Sequence, residues 1–253
     1  MNLNPRQRSI LDAVRSQVTI SVEELAQQLA VTPQTVRRDV KQMEEAHLLA
    51  RYHGGVGLPS SVENIDYSQR QVMNIAAKRR IAAAVAARVR PGSSLLINIG
   101  TTTEEVARAL RHHTGLHVVT NNLNVATIMA GQPSCEVIVA GGVVRGRDRG
   151  IVGEATVEFI RQFRVDIGII GVSSIEPDGT LRDFDSREVK VAQTIIEQSR
   201  EIWLVADQDK FVRQALVRLA HLSQMDSLFC DAEPPAALRA LLEEARVEVV
   251  VAP

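Results

Sequence analysis

From residue 93 onward, short apolar runs alternate with amphipathic segments. No other feature of this 253-residue chain constrains its fold as strongly. The runs at 95–99, 117–120, 137–140, 166–172 and 202–206 read as strands, with helices from about 104 to 111 and from about 123. The strand runs are apolar on both faces, the pattern of strands covered from both sides. Alternating strands and helices imply a mostly parallel α/β sheet. The runs end in Gly100-Thr101-Thr102-Thr103, Thr120-Asn121-Asn122, Gly141-Gly142 and Asp207. Open α/β sheets bind ligands at the carboxyl ends of their strands. Gly100-Thr101-Thr102-Thr103, placed ahead of a helix, offers backbone N–H groups, three hydroxyls and a positive dipole end, which suits a phosphate. An ordinary strand-ending turn is the competing reading. The chain has no GxxxxGK[ST], and no GxGxxG follows the first strand, so neither a Walker loop nor a dinucleotide site is expected.

The first sixty residues follow a different period. Ile10, Leu11, Val14 and Val18 recur at helical spacing from Pro5 to about 17. Ser21-Val22-Glu23-Glu24 has the form of a capping box, with Val22, Leu25 and Leu29 as the apolar stripe behind it. Thr32 is placed to cap a third helix, and Pro33 suits its first position. Val36, Val40, Met43 and His47 then make one inward face, leaving Gln34, Thr35, Arg37, Arg38 and Lys41 on the other. This is the helix-turn-helix layout, whose second helix reads the major groove from its first turns. Arg pairs with guanine and Gln with adenine. Asp39, Glu44 and Glu45 keep open the plainer reading of a solvated, salt-bridged face. Residues 48–59 carry short apolar arms around Gly54-Gly55 and read as a β-hairpin wing, with Arg51 and His53 near its tip.

Charge divides the same way. Residues 1–90 hold thirteen cations and eight anions, the remainder sixteen and twenty-two, within an overall net charge of −1. A basic front on an acidic body suggests nucleic acid at one end. Aromatics are only 3%, so a base-stacking platform or aromatic cage is not expected. No run of 18 apolar residues and no N-terminal apolar segment occurs, so neither a membrane span nor a secretory signal is expected. Cys135 and Cys230 are isolated; both read as buried small apolar residues, with no metal site and a reducing cytoplasm as the natural compartment. Residues 59–75 are polar and weakly periodic and read as a linker, followed by a helix at about 76–89 bearing Lys78, Arg79, Arg80 and Arg88. That cluster faces either DNA or the acidic body.

Three stretches are specific in order and spacing: Ser21-Val22-Glu23-Glu24-Leu25, Val31 through Asp39 (Val-Thr-Pro-Gln-Thr-Val-Arg-Arg-Asp), and Arg51-Tyr52-His53-Gly54-Gly55. They resemble the DNA-binding domain of the DeoR family of bacterial sugar-metabolism repressors. Val56 departs from the alanine expected in that wing. Further on, Gly100-Thr101-Thr102, Thr120-Asn121-Asn122, Ala140-Gly141-Gly142, Gly153-Glu154 and Asp207-Gln208-Asp209-Lys210-Phe211 come in the order of the same family's sensor domain, which resembles sugar-phosphate isomerases. The resemblance implies a winged helix-turn-helix domain at 1–58, a linker at 59–75 and a phosphometabolite-sensing α/β domain at 76–253. It implies a repressor of cytoplasmic location, without a cofactor, bound to double-stranded operator DNA as a homo-oligomer, a dimer or tetramer. The likeness is greatest to members acting in glycerol metabolism, which implies sn-glycerol 3-phosphate as effector. The DNA set is then Thr32, Gln34, Thr35, Arg37, Arg38, Lys41, Arg51 and His53. The effector set is Gly100, Thr101, Thr102, Thr103, Thr120, Asn121, Asn122, Gly141, Gly142, Arg145, Gly153, Glu154, Asp185, Glu188 and Lys210. Asp183, Asp185 and Glu188, and likewise Asp207 and Lys210, also suit acid–base groups of an isomerase fused to a DNA-binding head. Alternatively, Asp185 and Glu188 make a second capping box. A regulator of another sugar-phosphate pathway is the remaining alternative.

Overall fold

Three helices and a hairpin make the front of the chain: α1 (Pro5–Ser16), α2 (Val22–Gln28), α3 (Pro33–Glu45), β1 (Ala50–Tyr52) and β2 (Gly55–Gly57). Each helix starts on local polar chemistry. The Asn4 and Gln7 side chains accept from each other's backbone N–H ahead of α1. Ser21 and Glu24 form the expected capping box on α2. Thr32 caps α3 through the Thr35 N–H, with Pro33 in the first turn. Ile10, Leu11, Val14, Leu25, Val36, Val40 and Met43 then close one apolar core. The wing is fastened to the α1–α2 junction, because Ile20 and Val56 exchange backbone hydrogen bonds of 3.0 and 2.8 Å. A Cβ on Gly55 would stand 2.6 Å from the Ile20 carbonyl oxygen, so only glycine permits that approach.

The computed structural model describes residues 3–16, 20–46, 48–52, 55–58 and 65–253, without the side chains of Arg15, Ser16 and Tyr52. Val18, His47, His53 and most of the expected linker's first half therefore lie outside the described residues.

The body continues with α4 (Tyr67–Val72), α5 (Ile75–Ala86), β3 (Ser94–Ile97), α6 (Thr101–Ala109), β4 (Leu116–Thr120), α7 (Leu123–Met129) and β5 (Cys135–Val139). Next come β6 (Val143–Val144), β7 (Ile151–Val152), α8 (Glu154–Ile160), β8 (Val165–Gly171), β9 (Ser174–Ile175), β10 (Thr180–Asp183), α9 (Ser186–Glu197) and β11 (Ser199–Val205). The chain ends with β12 (Val217–His221), β13 (Ser227–Cys230), α10 (Ala236–Glu244) and β14 (Glu248–Val251). Seven strands form one sheet in the order β14-β13-β11-β8-β3-β4-β5, and every pairing in it is parallel. Alternate strand residues feed two cores. Leu96, Ile170 and Leu204 pack under α8, α9 and α10, while Leu95, Ile97, Ile169 and Val205 pack under α5, α6 and α7.

Chain order runs outward from β3 to β5 on one side and from β8 to β14 on the other. The switch point thus lies between β3 and β8, where such sheets hold ligands.

Several elements depart from the sequence expectation. The strands β13 and β14, the hairpin β6–β7 and the small antiparallel sheet β12-β10-β9 were not anticipated. The two-residue strands β6, β7 and β9 carry no periodicity to be read. α6 begins at Thr101 rather than near residue 104, so Thr101, Thr102 and Thr103 are its first turn. Residues 67–72 of the expected linker form a helix. The cationic cluster that follows faces the body: Lys78 is buried, Arg79 lies 3.5 Å from Glu105, and Arg80 lies 4.0 Å from Asp231. Cys230 is buried as expected, but Cys135, at the start of an edge strand, is only half-buried.

Candidate functional site

The exposed face of α3 is assembled as its pattern suggests. Thr32, Gln34, Thr35 and Arg38 line one shallow groove together with Asn4, Arg6 and Gln42. Asp39 is buried beneath them and binds Arg6, which fixes α1 against α3. Arg37 instead turns toward α2 and pairs with Glu23 at 3.0 Å. Lys41 lies 4.0 Å from Glu45, and Arg51 of the wing 3.2 Å from Glu44. These pairs are exposed and contribute little to stability, so their cations stay available to an anionic partner. Asn4 and Arg6 were not among the anticipated residues, because only the docking of α1 brings them there.

At the switch point of the sheet a cavity is walled by Arg70, Ile99, Gly100, Thr101, Thr102, Gly171, Val172, Ser173, Asp183, Glu188, Val205 and Lys210. Its free volume is about 30 Å3, room for a water molecule or two. One wall is the first turn of α6, whose N–H groups have no helical partners and carry the positive dipole end. Lys210 enters from the loop after β11, where the Asp207 side chain caps a short 3-10 turn. Burial pushes the Lys210 amine down to about 7, and nearby Arg213 reinforces this. The cavity wall also holds Asp183, which accepts from Ser173 Oγ at 3.0 Å, and Glu188. Burial and the neighbouring Asp183 push the Glu188 carboxyl up to about 7, against the pull of Arg145. The cavity therefore combines anion-binding groups with carboxylates suited to hydroxyl donors.

Of the fifteen residues anticipated for the effector, Gly100, Thr101, Thr102, Glu188 and Lys210 line this cavity. Thr103, Thr120, Asn121 and Asn122 lie behind it and hold the backbone. Thr103 Oγ1 donates to the Asn98 and Gly100 carbonyls, and Thr120 Oγ1 to Ile97 O. Asn121 donates to Ile151 O, and Asn122 caps α7. Arg145 is engaged by protein carboxylates. It reaches Asp148 at 2.6 Å, Glu188 at 2.6 Å and Asp185 at 3.0 Å, so it does not present a free fork to a ligand. Asp185 caps α9 through the Arg187 N–H, yet the expected capping box is incomplete because the Glu188 carboxylate goes to Arg145. Gly141, Gly142, Gly153 and Glu154 do not line the cavity. Gly142 has φ +148°, and a Cβ there would collide with Thr156 Oγ1; Gly153 begins α8, and Glu154 pairs with exposed Lys190. Sequence reasoning missed Arg70, Ser173 and Val172 as wall residues. Among the described residues, no group of three His, Cys, Asp or Glu side chains is placed to hold a metal, and no helix is long and apolar enough to cross a membrane.

Residues 6–62 match the DeoR-like helix-turn-helix domain, and residues 73–232 match the DeoR C terminal sensor domain. The chain belongs to the DeoR family. Among its DeoR-family relatives, the glycerol-3-phosphate regulon repressor of Escherichia coli (strain K12) is 43% identical over 249 residues, covering 98% of this chain and 99% of that protein. The protein of the same name from Haemophilus influenzae is 46% identical, covering 96% and 95%. The HTH-type transcriptional repressor CsqR of Escherichia coli is 41% identical, covering 98% and 95%. All three relatives are repressors rather than enzymes by name, although the cavity sits where an α/β enzyme would carry its active site.

Proposed function

We propose that this DeoR-family chain is a cytoplasmic transcriptional repressor that binds operator DNA through α3 and the wing and lets go when sn-glycerol 3-phosphate occupies the switch-point cavity. The cavity's mixed chemistry, anion-binding groups and carboxylates in one wall, carries the reading. The α6 N-terminus, with Thr101, Thr102 and Lys210, suits a phosphate monoester. Asp183 and Glu188, which line the same cavity, suit the hydroxyls of a short polyol. Two relatives named for glycerol 3-phosphate support the choice of effector. A relative of nearly equal identity bears another name, so the chemistry of the effector needs its own test. Major-groove half-sites one turn apart suit a two-fold assembly, and we propose a homo-oligomer, dimer or tetramer. Domain limits near 58 and 76 accompany this reading.

Calorimetric titration of the full chain with sn-glycerol 3-phosphate, ribose 5-phosphate, glycerol and inorganic phosphate tests it. Saturable binding of sn-glycerol 3-phosphate, tighter than that of phosphate and absent for glycerol, is the expected result. Tighter binding of ribose 5-phosphate, above all with turnover, would replace the repressor reading of the cavity with that of an isomerase.

A further inference from the structure

The helix that leads out of the DNA-binding head forms part of the cavity wall. We propose that Arg70, on α4, is an anion-binding residue of the effector site, supplied by the segment joining head to body. The inference rests on the effector reading above and gives it a mechanical route to the DNA.

Arg70 lines the cavity together with Gly100, Thr101, Thr102 and Lys210, and its side chain is 15% exposed. A guanidinium has five N–H donors. Arg70 Nε donates to Ile65 O at 3.1 Å, and its terminal nitrogen lies 3.7 Å from Asp148, a carboxylate already bound closely by Arg145. These contacts leave guanidinium donors over for an anion. Lys78 and Lys210 both sit beside Arg70, and its charge helps hold their amines below the usual range. An anion placed among these cations relieves that repulsion.

The same helix is tied to the elements that would touch the anion. Tyr67 Oη donates to Glu104 on α6 at 2.7 Å and accepts from Asn124 at 2.8 Å. Asn74, just past α4, donates to Asp209 at 2.7 Å, next to Lys210. Lys78 donates to the Arg70 carbonyl. Two residues beyond Lys210, Val212 packs against the apolar core of the head. α4 itself buries none of its residues, and Val72 is 72% exposed, so polar contacts rather than core packing hold it to the cavity. The free volume admits a water or two, so a ten-heavy-atom phosphate ester requires a wall to move. With β3, β8, α6 and α9 packed in the cores, α4 is the wall that can yield. Ligand binding then shifts the segment from which the head is hung.

The test uses the full chain in four forms: wild type, Arg70→Met, Arg70→Lys and Thr102→Ala. Each is titrated with sn-glycerol 3-phosphate and, in parallel, inorganic phosphate. Amide hydrogen exchange is followed with and without saturating ligand, and a melt accompanies each form. Arg70→Met is expected to weaken binding about 10- to 100-fold, the range of a charge-assisted bond, and Arg70→Lys to recover part of it. In wild type the ligand should slow exchange at both 66–74 and 100–105. In saturated Arg70→Met it should slow only 100–105. Wild-type affinity in Arg70→Met, or equal protection of 66–74 in that variant, overturns the inference. If Thr102→Ala loses affinity while Arg70→Met does not, the effector site stands and only the role of Arg70 falls. If wild type binds neither probe, both fall together. Should Arg70→Met melt early, Arg70→Lys carries the decision: wild-type affinity with no change at 66–74 counts against the proposal.

Discussion

Adjacent threonines in the first turn of α6 face different surroundings, and the proposed effector reading gives them different work. Thr102 faces the cavity, whereas Thr103 is fully buried and spends its hydroxyl on the Asn98 and Gly100 carbonyls. Thr102→Ala should reduce effector affinity roughly 10- to 150-fold, the loss of one hydrogen bond to a charged group, with the melting temperature nearly unchanged. Thr103→Ala should do the opposite. It leaves buried carbonyls short of a donor and should destabilise the fold by about 1–3 kcal/mol, with affinity per folded molecule intact. Calorimetry and a denaturant melt on both variants check the contrast. Equal affinities for wild type and Thr102→Ala would remove that residue from the site.

At the level of elements, the parts legible in the sequence are those built from local chemistry. Ser21 with Glu24 and Thr32 with Pro33 set helix starts within three residues, and the apolar spacing of Val36, Val40 and Met43 fixes which face of α3 turns outward. Arg38 on that outward face should lose about 1–3 kcal/mol of operator affinity when changed to Ala, measured by fluorescence anisotropy, with the body still folded. The parts that stayed hidden depend on partners distant in sequence. Arg70 reads as one more polar residue in a weakly periodic stretch until α4 docks beside α6. Arg145 stands in the effector set that the family resemblance implies, until Asp185 and Glu188 arrive some forty residues later to occupy it. That cluster fastens the loop between β6 and β7 to α9. Arg145→Met should destabilise the protein by about 3–5 kcal/mol, because it strands buried carboxylates without a cation. A urea melt tests this, and a loss below about 1 kcal/mol would contradict the assignment.

For the whole molecule, the proposed effector site ties the protonation of one amine to release from DNA. Burial holds Lys210 at about 7, far below the ordinary lysine value, so above pH 7 the amine is mostly neutral in the empty cavity. A phosphate favours the protonated amine, and binding above pH 7 therefore takes up a proton. Effector affinity should fall by up to about tenfold per pH unit above 7. Glu188, pushed up to about 7, adds negative charge over the same range and acts in the same direction. Titrations in buffers of different ionisation enthalpy at pH 8 should report that uptake, and none would mean Lys210 does not meet the anion. The claim at the centre is that one chain couples this cavity to the operator. An effector shifts an equilibrium only through differential affinity for its two states, and the coupling is reciprocal. The most direct measurement is operator affinity of the full chain, by anisotropy at fixed salt, with and without saturating sn-glycerol 3-phosphate. The account predicts a weaker operator complex with the effector, by about 5- to 150-fold, and an equal loss of effector affinity when operator is bound. Unchanged operator affinity in the presence of bound effector would contradict it.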